Sequence, residues 1–272
     1  MQGPSRESLA ASRESLDALA RQTGGAGFGE LGEQLFAVVD LLDAESALRR
    51  ALSDPALLPE RRAALVDTLL RGRIGPLALD VVRGAVRRRW SDPVDLVDGL
   101  ELLAIDAELI VAETDGALDD VEDEVFRFGR VVAANLDLRA ALTDPSLPAQ
   151  RKIALLRDLL ADRVRPVSLT LLERAVTAPR GRLLDDWLTE LAELAAQRRH
   201  RLLAVVRVAR PLTAGQTARL AAALRELYGS EVQLQVEVDP AVLGGALVSV
   251  RDEVIDATVV HRLAQARRRI AG

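Results

Sequence analysis

The chain contains no cysteine among its 272 residues and only two histidines, His200 and His261. The absence of cysteine excludes disulfide bonds, thiolate metal sites and cysteine nucleophiles. The two histidines lie far apart in the sequence, and neither has a carboxylate at the spacing that places two ligands on one helical face. We therefore expect neither a metal ion nor another cofactor.

Aromatic residues and excess positive charge are also scarce. Phenylalanine, tyrosine and tryptophan together make up 3% of the chain, and its formal net charge at pH 7 is -5. Few rings are therefore available to stack on bases, and the overall charge is repelled by phosphates. These two properties argue against nucleic acid as a partner.

Long apolar runs are missing as well. No run approaches the roughly 18–20 residues that an α-helix needs to cross a bilayer. The first residues, MQGPSRESLAASRESLDALARQ, lack an apolar core and carry acidic residues early, unlike a secretory signal. We expect a chain that is not itself inserted into a membrane.

The sequence does contain apolar material and an internal repeat. Hydrophobic residues account for 49% of the chain, and a chain of this length is expected to form two or three domains. The segment LRRALSDPALLPERRAALVDTLL from Leu48 matches LRAALTDPSLPAQRKIALLRDLL from Leu138, at a constant offset of 90 residues. An uninterrupted match over this length indicates a duplication.

Prolines give the repeat a structural interpretation. Pro55 and Pro145 each follow an aspartate and disfavour helical backbone at that residue, so a helix should end there. Pro76 and Pro166 are placed to open a further helix, where the missing N–H costs nothing. Each copy is therefore expected to form a bundle of five or six short helices.

The residue pattern changes near residue 202. The segment VQLQVEV from Val232 alternates apolar and polar residues, which predicts a β-strand, and Thr213 with Gln216 has the form of a helix-capping box. We predict a mainly α fold with a small α+β C-terminal domain, that is, two related helical bundles followed by a short mixed β-sheet module. The predicted domains are a first helical bundle at 1–93, a second at 94–201 and an α+β domain at 202–272.

No combination of residues in the sequence is typical of catalysis. The Gly244-Gly245 pair lacks the spacing and the following lysine of a phosphate-binding loop, and it precedes a predicted strand, so a structural role is favoured. Asp185 and Asp186 are adjacent and therefore point to different sides of a helix. No serine lies in a nucleophile-elbow motif. We expect no enzyme activity and no small-molecule substrate.

The helix that begins at Pro166 is apolar on more than one side. Leu172 and Val176 belong to one stripe, whereas Val167 and Leu171 lie off it. Such a helix is either central in its bundle or covered by another element. The sequence leaves both options open: a central helix, or the wall of a groove that accepts an amphipathic partner helix.

At this point the C-terminal residues indicate a family. Val-Asp-Pro, Leu-Gly-Gly and Val-Ile-Asp occur in that order before a basic segment, and LRAALTDPSLPAQRKIALLRDLL precedes them. The combination resembles the δ subunit of F-type ATP synthases, whose mitochondrial counterpart is the oligomycin-sensitivity-conferring protein. The resemblance covers Val94 to Gly272, and residues 1–93 look like a second copy of the helical domain. The motif residues are Asp239, Pro240, Gly244, Gly245 and Asp256.

The resemblance departs from the family pattern at the predicted C-terminal hairpin. The family usually has glycine where Arg251 stands, and glycine-serine where Ala257-Thr258 stand. The departures concern the detail of the hairpin turn and leave the family resemblance in place.

The resemblance implies a structural function rather than a catalytic one. Family members are non-catalytic stator subunits that link the catalytic head, through N-terminal helices of α subunits, to the b subunits of the peripheral stalk, so that proton-driven rotation is coupled to ATP synthesis. It also implies a peripheral location at the cytoplasmic side of the cell membrane. For the α-subunit contact we expect Val167, Leu171 and Arg174 to face the partner. The alternative is a helical-repeat adaptor of another cytoplasmic complex.

Overall fold

The computed structural model describes residues 1–160, 163–200, 202–228, 232–239, 242, 245–250 and 253–256. Contacts between residues divide the chain into two compact units, 1–196 and 197–272. The predicted fold class is confirmed, because helices fill the described part of the first unit and a small sheet forms in the second. The boundary between 93 and 94 inside the first unit stays a prediction.

Helices α1 to α11 occupy the chain from residue 3 to residue 200. Their bounds are α1 Gly3–Thr23, α2 Phe28–Ala44, α3 Ser46–Ser53, α4 Pro59–Leu70, α5 Pro76–Arg87, α6 Pro93–Thr114, α7 Leu118–Ala134, α8 Leu136–Thr143, α9 Ala149–Leu160, α10 Pro166–Thr177 and α11 Leu184–His200. Each of α2 to α5 begins and ends 90 residues before its counterpart among α7 to α10. We call α2–α5 the first repeat and α7–α10 the second repeat.

The prolines and aspartates of the repeat end and begin its helices as predicted. α3 ends at Ser53 and α8 at Thr143, and the aspartate that follows each has extended backbone. The carboxylate of Asp54 accepts a hydrogen bond from the Ala56 amide, and Asp144 does the same for Ser146, both at 2.8 Å. These turns reverse the chain and bring α4 and α9 back onto the bundle.

Both repeats use a side chain from an earlier helix to cap a later one. The Gln34 side-chain oxygen in α2 accepts a hydrogen bond from the Gly75 amide at 2.6 Å, next to the start of α5. In the second repeat Glu124 accepts one from the Arg165 amide at 2.9 Å, next to the start of α10. Since the first amides of a helix have no intrahelical acceptor, these contacts fix where α5 and α10 begin.

Helix α6 lies between the two repeats in the sequence and contacts helices of both. It packs against α1, α2, α3 and α5, which precede it in the sequence, and against α7 and α10, which follow it. Its apolar residues are buried along most of its length, and one continuous cluster of buried side chains spans residues 9 to 195. The first unit therefore has a single hydrophobic core, to which both repeats contribute.

In the part of the second unit that the structure describes, a four-stranded sheet is accompanied by a helix. The strands are β1 Leu202–Val208, β2 Val232–Val238, β3 Ala246–Val250 and β4 Glu253–Asp256, with α12 Ala214–Tyr228 between the first two. The strand order is β2-β1-β3-β4. β1 pairs parallel with β2 and antiparallel with β3, and β3 and β4 are antiparallel. The predicted mixed sheet is thus confirmed.

The capping box and the strand alternation in this unit are as the sequence predicts. The Thr213 amide donates to the Gln216 side chain at 2.9 Å, and the Gln216 amide donates back to the Thr213 hydroxyl at 3.3 Å. Val206, Leu224 and Val248 are buried at the centre of its core. Apolar residues of β2 that alternate along the strand pack against these: Val232, Leu234 and Val236.

Candidate partner-binding surface

The residues predicted to face a partner are buried within the chain. Only 8% of Val167, 1% of Leu171 and 8% of Arg174 is exposed. The structure therefore agrees with the first of the two options, in which α10 is a central helix. These side chains do not form the wall of an open groove. Their assignment to a partner contact stays a prediction.

Arg174 lies between the two repeats. Its guanidinium carbon is 4.9 Å from the centre of the Phe36 ring, and Nη1 donates to Asp40 Oδ1 at 2.6 Å. Phe36 and Asp40 are both in α2, so this α10 side chain binds the first repeat. The aromatic face and the charge-assisted hydrogen bond both stabilise the buried guanidinium, although the Asp40 side chain is 59% exposed.

Glu101 of α6 is the centre of a larger ionic cluster at the same junction. Its side chain is 2% exposed, and Oε2 accepts from Arg180 at 2.9 Å and from Arg182 at 2.6 Å. Arg180 also pairs with Asp43 at 2.5 Å and with Asp98 at 2.9 Å. A buried carboxylate is tolerated only with such partners, because its desolvation is costly.

The pKa values in this cluster reflect both burial and pairing. Burial raises the pKa of the Asp98 carboxyl, and the positive charge of Arg180 opposes that shift. For Arg180, burial lowers the pKa, but the negative charges of Glu101, Asp43 and Asp98 more than compensate and leave it raised. The cluster joins α2, α6 and the segment after α10 through charged contacts. The two repeats are therefore connected by ion pairs as well as by the core.

The face that is buried on α10 is more accessible on α5. The positions that correspond to Val167 and Leu171 are Leu77 and Val81, and both are half-buried. The position that corresponds to Arg174 is Gly84, where an added Cβ would meet no atom within 4 Å. The first repeat thus presents a partly open strip of α5 where the second repeat is covered.

Sequence reasoning missed the buried carboxylate of Glu108. Glu108 of α6 is 4% exposed and lies against Gly32 of α2, where an added Cβ would be 2.2 Å from Glu108 Oε1. Burial raises the pKa of this carboxyl to about 7, and the charge of Glu33 adds to the shift. The signal in the sequence was the glycine itself, since the equivalent position of the second repeat is Glu122.

The family-motif residues lie in the second unit and perform structural tasks where they are described. The Asp239 amide donates to the Val208 carbonyl at 2.9 Å, which extends the pairing of β1 with β2. Gly245 has φ 81° immediately before β3, a backbone conformation that glycine adopts without strain. Asp256 pairs with Leu247 in the β3–β4 ladder. Pro240 and Gly244 lie outside the described residues, as does the basic C-terminal segment.

The described part of the chain contains neither a candidate metal cluster nor a candidate membrane span. No group of three or more acidic or histidine side chains in that part of the chain is close enough together to hold a metal ion. None of the helices described combines the length and apolarity that crossing a bilayer requires. Asp185, one of the adjacent carboxylates, forms an ion pair with Arg139 of α8.

Comparison with known proteins gave consistent matches. A family model described as "ATP synthase delta (OSCP) subunit" matches residues 106–270. A Streptomyces griseus protein named ATP synthase subunit delta is 50% identical over 272 residues, which is 100% of both chains. Proteins of the same name from Acidothermus cellulolyticus and Thermobifida fusca are 48% and 44% identical, again over 100% of both chains.

One match among solved structures is more distant. It is a chain in the cryo-EM structure of the Toxoplasma gondii mitochondrial ATP synthase hexamer, with 21% sequence identity and a TM-score of 0.26. The match covers 62% of this chain and 95% of that chain. A TM-score this low carries no argument about how the chain is arranged.

Proposed function

Since the chain belongs to the ATP synthase delta (OSCP) subunit family, we propose that it is the non-catalytic stator subunit of a rotary ATP synthase. In this role it links the α subunits of the catalytic head to the b subunits of the peripheral stalk, peripherally at the cytoplasmic side of the cell membrane. The observation that carries the proposal is the 50% identity over the whole chain, including residues 1–93. An adaptor for an unrelated complex would not account for that match.

A stator has to transmit force without deforming, and two features of the first unit support this. The repeats share one continuous core, and the cluster around Glu101 ties them together through Arg180 and Arg182. Several moderate contacts made by one rigid body reinforce one another through effective concentration. Such a body can reach nanomolar attachment, which corresponds to about -12 kcal/mol.

For the α-subunit contact we propose two equivalent faces, one on α5 and one on α10. On α10 this face is made by Val167, Leu171 and Arg174, which are buried within the chain. On α5 the counterparts Leu77 and Val81 are already half-buried rather than covered. An amphipathic helix docks most readily where apolar side chains are partly exposed, so the α5 face is the first candidate.

The proposal is tested by titrating the full chain with a synthetic peptide of the α-subunit N-terminal helix. Val81→Asp should weaken binding by at least about tenfold, which is about 1.4 kcal/mol, and leave the circular dichroism spectrum unchanged. Val94→Asp is the matched control, because Val94 is 45% exposed and lies on α6 rather than on α5 or α10. Unchanged affinity in Val81→Asp would exclude the α5 face. A full chain that does not bind the peptide at all would count against the stator proposal.

A further inference from the structure

Because the chain is internally duplicated, the contacts made by a surface of one repeat indicate what could bind the equivalent surface of the other. In the first repeat a stripe on α2 consists of Phe36, Asp40 and Asp43, at positions i, i+4 and i+7. Phe36 is only 7% exposed, and Arg174 lies over its ring at 4.9 Å. Asp40 and Asp43 pair with Arg174 and Arg180 at 2.6 and 2.5 Å. This stripe thus binds two arginine side chains, one from α10 and one from the segment that follows it.

The same stripe on α7 is open. Its residues are Phe126, Arg130 and Ala133, which are 90 positions after those on α2. Phe126 is 58% exposed, against 7% for Phe36. Leu136, just beyond the end of α7, is 73% exposed. A large exposed ring on a helix surface, with a further exposed apolar side chain beyond the end of the same helix, is a feature of surfaces that bind another protein.

The chemistry of the open stripe differs from that of the occupied one in a specific way. Arg130 replaces the acidic Asp40, and Ala133 replaces Asp43. Leu136 stands where the first repeat has Ser46. The surface has therefore lost its negative charges, gained one positive charge and become more apolar. An occupant with arginines, such as α10 offers to α2, would be repelled by Arg130.

We propose that Phe126, Arg130, Ala133 and Leu136 form a docking surface for an amphipathic helix of another polypeptide, which presents an acidic residue to Arg130. The ring of Phe126 would be covered as Phe36 is, and the acidic residue would take the place that Arg174 has opposite Asp40. The surface is separate from the α5 and α10 face. It depends on the proposed function only for the choice of complex in which it is tested.

The absence of cysteine makes the surface measurable in the assembled ATP synthase. Phe126→Cys and the control Leu58→Cys, at a position 69% exposed in the first repeat, are each labelled with a maleimide, first in the free chain and then in the complex. Both should react readily in the free chain. In the complex the rate at Phe126→Cys should fall by at least about tenfold relative to Leu58→Cys. Equal protection of the two positions would overturn the proposal.

The occupant is then identified by attaching a photoreactive maleimide to Phe126→Cys in the complex. The proposal expects a cross-link to a helical segment of another subunit that has an acidic residue within one turn of the linked position. Arg130→Glu should reduce the yield about tenfold, and Arg130→Lys should preserve it. A cross-link to residues 197–272 of this chain or to a second copy, or a yield insensitive to Arg130→Glu, would overturn the proposal. None of these outcomes depends on the α-subunit peptide titration.

Discussion

In the first repeat, Arg62 of α4 donates hydrogen bonds to the carbonyls of Asp54, Val86, Arg87 and Arg88, at 2.7 to 3.2 Å. In the second repeat the equivalent residue is Lys152, the single lysine of the chain, and it reaches one carbonyl, that of Val176, at 3.5 Å. Both cations are buried at the end of the next helix, where unpaired carbonyls attract positive charge. Both repeats therefore have a buried cation at this position, but Arg62 makes more and shorter hydrogen bonds than Lys152.

A second pair of equivalent positions has exchanged its charges. Arg83 of α5 pairs with Asp67 of α4, whereas Glu173 of α10 pairs with Arg157 of α9 at 2.6 Å. The acid and the base have changed places between the helices, and the ion pair is present in both repeats. The repeats thus preserve the contacts that hold each bundle together, while their outward faces differ in charge and exposure.

The largest expected difference between the repeats concerns the face of α5 and α10. Leu171→Asp should reduce the free energy of unfolding by about 4 kcal/mol, because it places an unpaired carboxylate in the core. Val81→Asp, the matched change in the first repeat, should cost only about 1 kcal/mol, since Val81 is half-buried. Urea unfolding followed by circular dichroism measures both. Equal losses would show that the two faces are equally covered.

The next largest difference is expected at the buried cations. Arg62→Ala should cost about 3 kcal/mol, because four carbonyls lose their donor. Lys152→Ala should cost about 1 kcal/mol, for one long hydrogen bond. Thermal unfolding of both variants provides the measurement, with Lys152→Arg as the reciprocal test. We expect Lys152→Arg to raise the melting temperature, and a decrease would contradict the equivalence of the two positions.

The carboxyl of Glu108 should make stability depend on pH. Its pKa is raised from an ordinary 4.5 to about 7 in the folded chain. As the pH rises, the unfolded chain therefore releases this proton at a lower pH than the folded chain does. The free energy of unfolding should therefore fall as pH rises from 4.5 to 7 and stay level above 7 with respect to this group. The full loss is up to about 3 kcal/mol.

Glu108→Gln tests this directly, because glutamine has nearly the same shape and no charge. The variant should lack this part of the pH dependence and be more stable than the original chain at pH 8. Glu33→Gln is the control: it removes a neighbouring charge at an exposed position, so it should reduce the dependence only slightly. An unchanged pH profile in Glu108→Gln would mean that another group is responsible.

The smallest effect is expected from exchanging the charges of an ion pair. Asp67→Arg alone places two arginines together and should lower the melting temperature slightly, since the pair is partly exposed. The double change Asp67→Arg with Arg83→Glu recreates the arrangement of Arg157 and Glu173, and should recover the loss. The double-mutant cycle is read from melting temperatures at low salt. Additive losses would show that the two repeats do not tolerate the same exchange.

Much of the fold could be predicted from local sequence signals. The glycines at 24 and 25 end α1, Pro76 and Pro166 open α5 and α10, and Thr213 with Gln216 caps α12. Each of these signals acts within a few residues, so a single sequence is enough to read it. The offset of 90 residues extended the prediction from one repeat to the other.

The candidate surface was less predictable, because burial depends on elements that are distant in the sequence. Leu171 and Val81 occupy equivalent positions of the two repeats, yet Leu171 is buried and Val81 is half-buried. Likewise, Phe126 and Phe36 occupy equivalent positions of the two repeats, yet one ring is 58% exposed and the other 7%. The ionic cluster around Glu101 joins residues 79 and 81 positions apart, a distance at which periodicity gives no information.

The most direct test of the stator proposal is proton-driven ATP synthesis in membrane vesicles that contain the ATP synthase without this chain. The account predicts that such vesicles hydrolyse ATP but do not synthesise it, and that adding the purified full chain restores synthesis. Vesicles that synthesise ATP equally well with and without the chain would contradict the account.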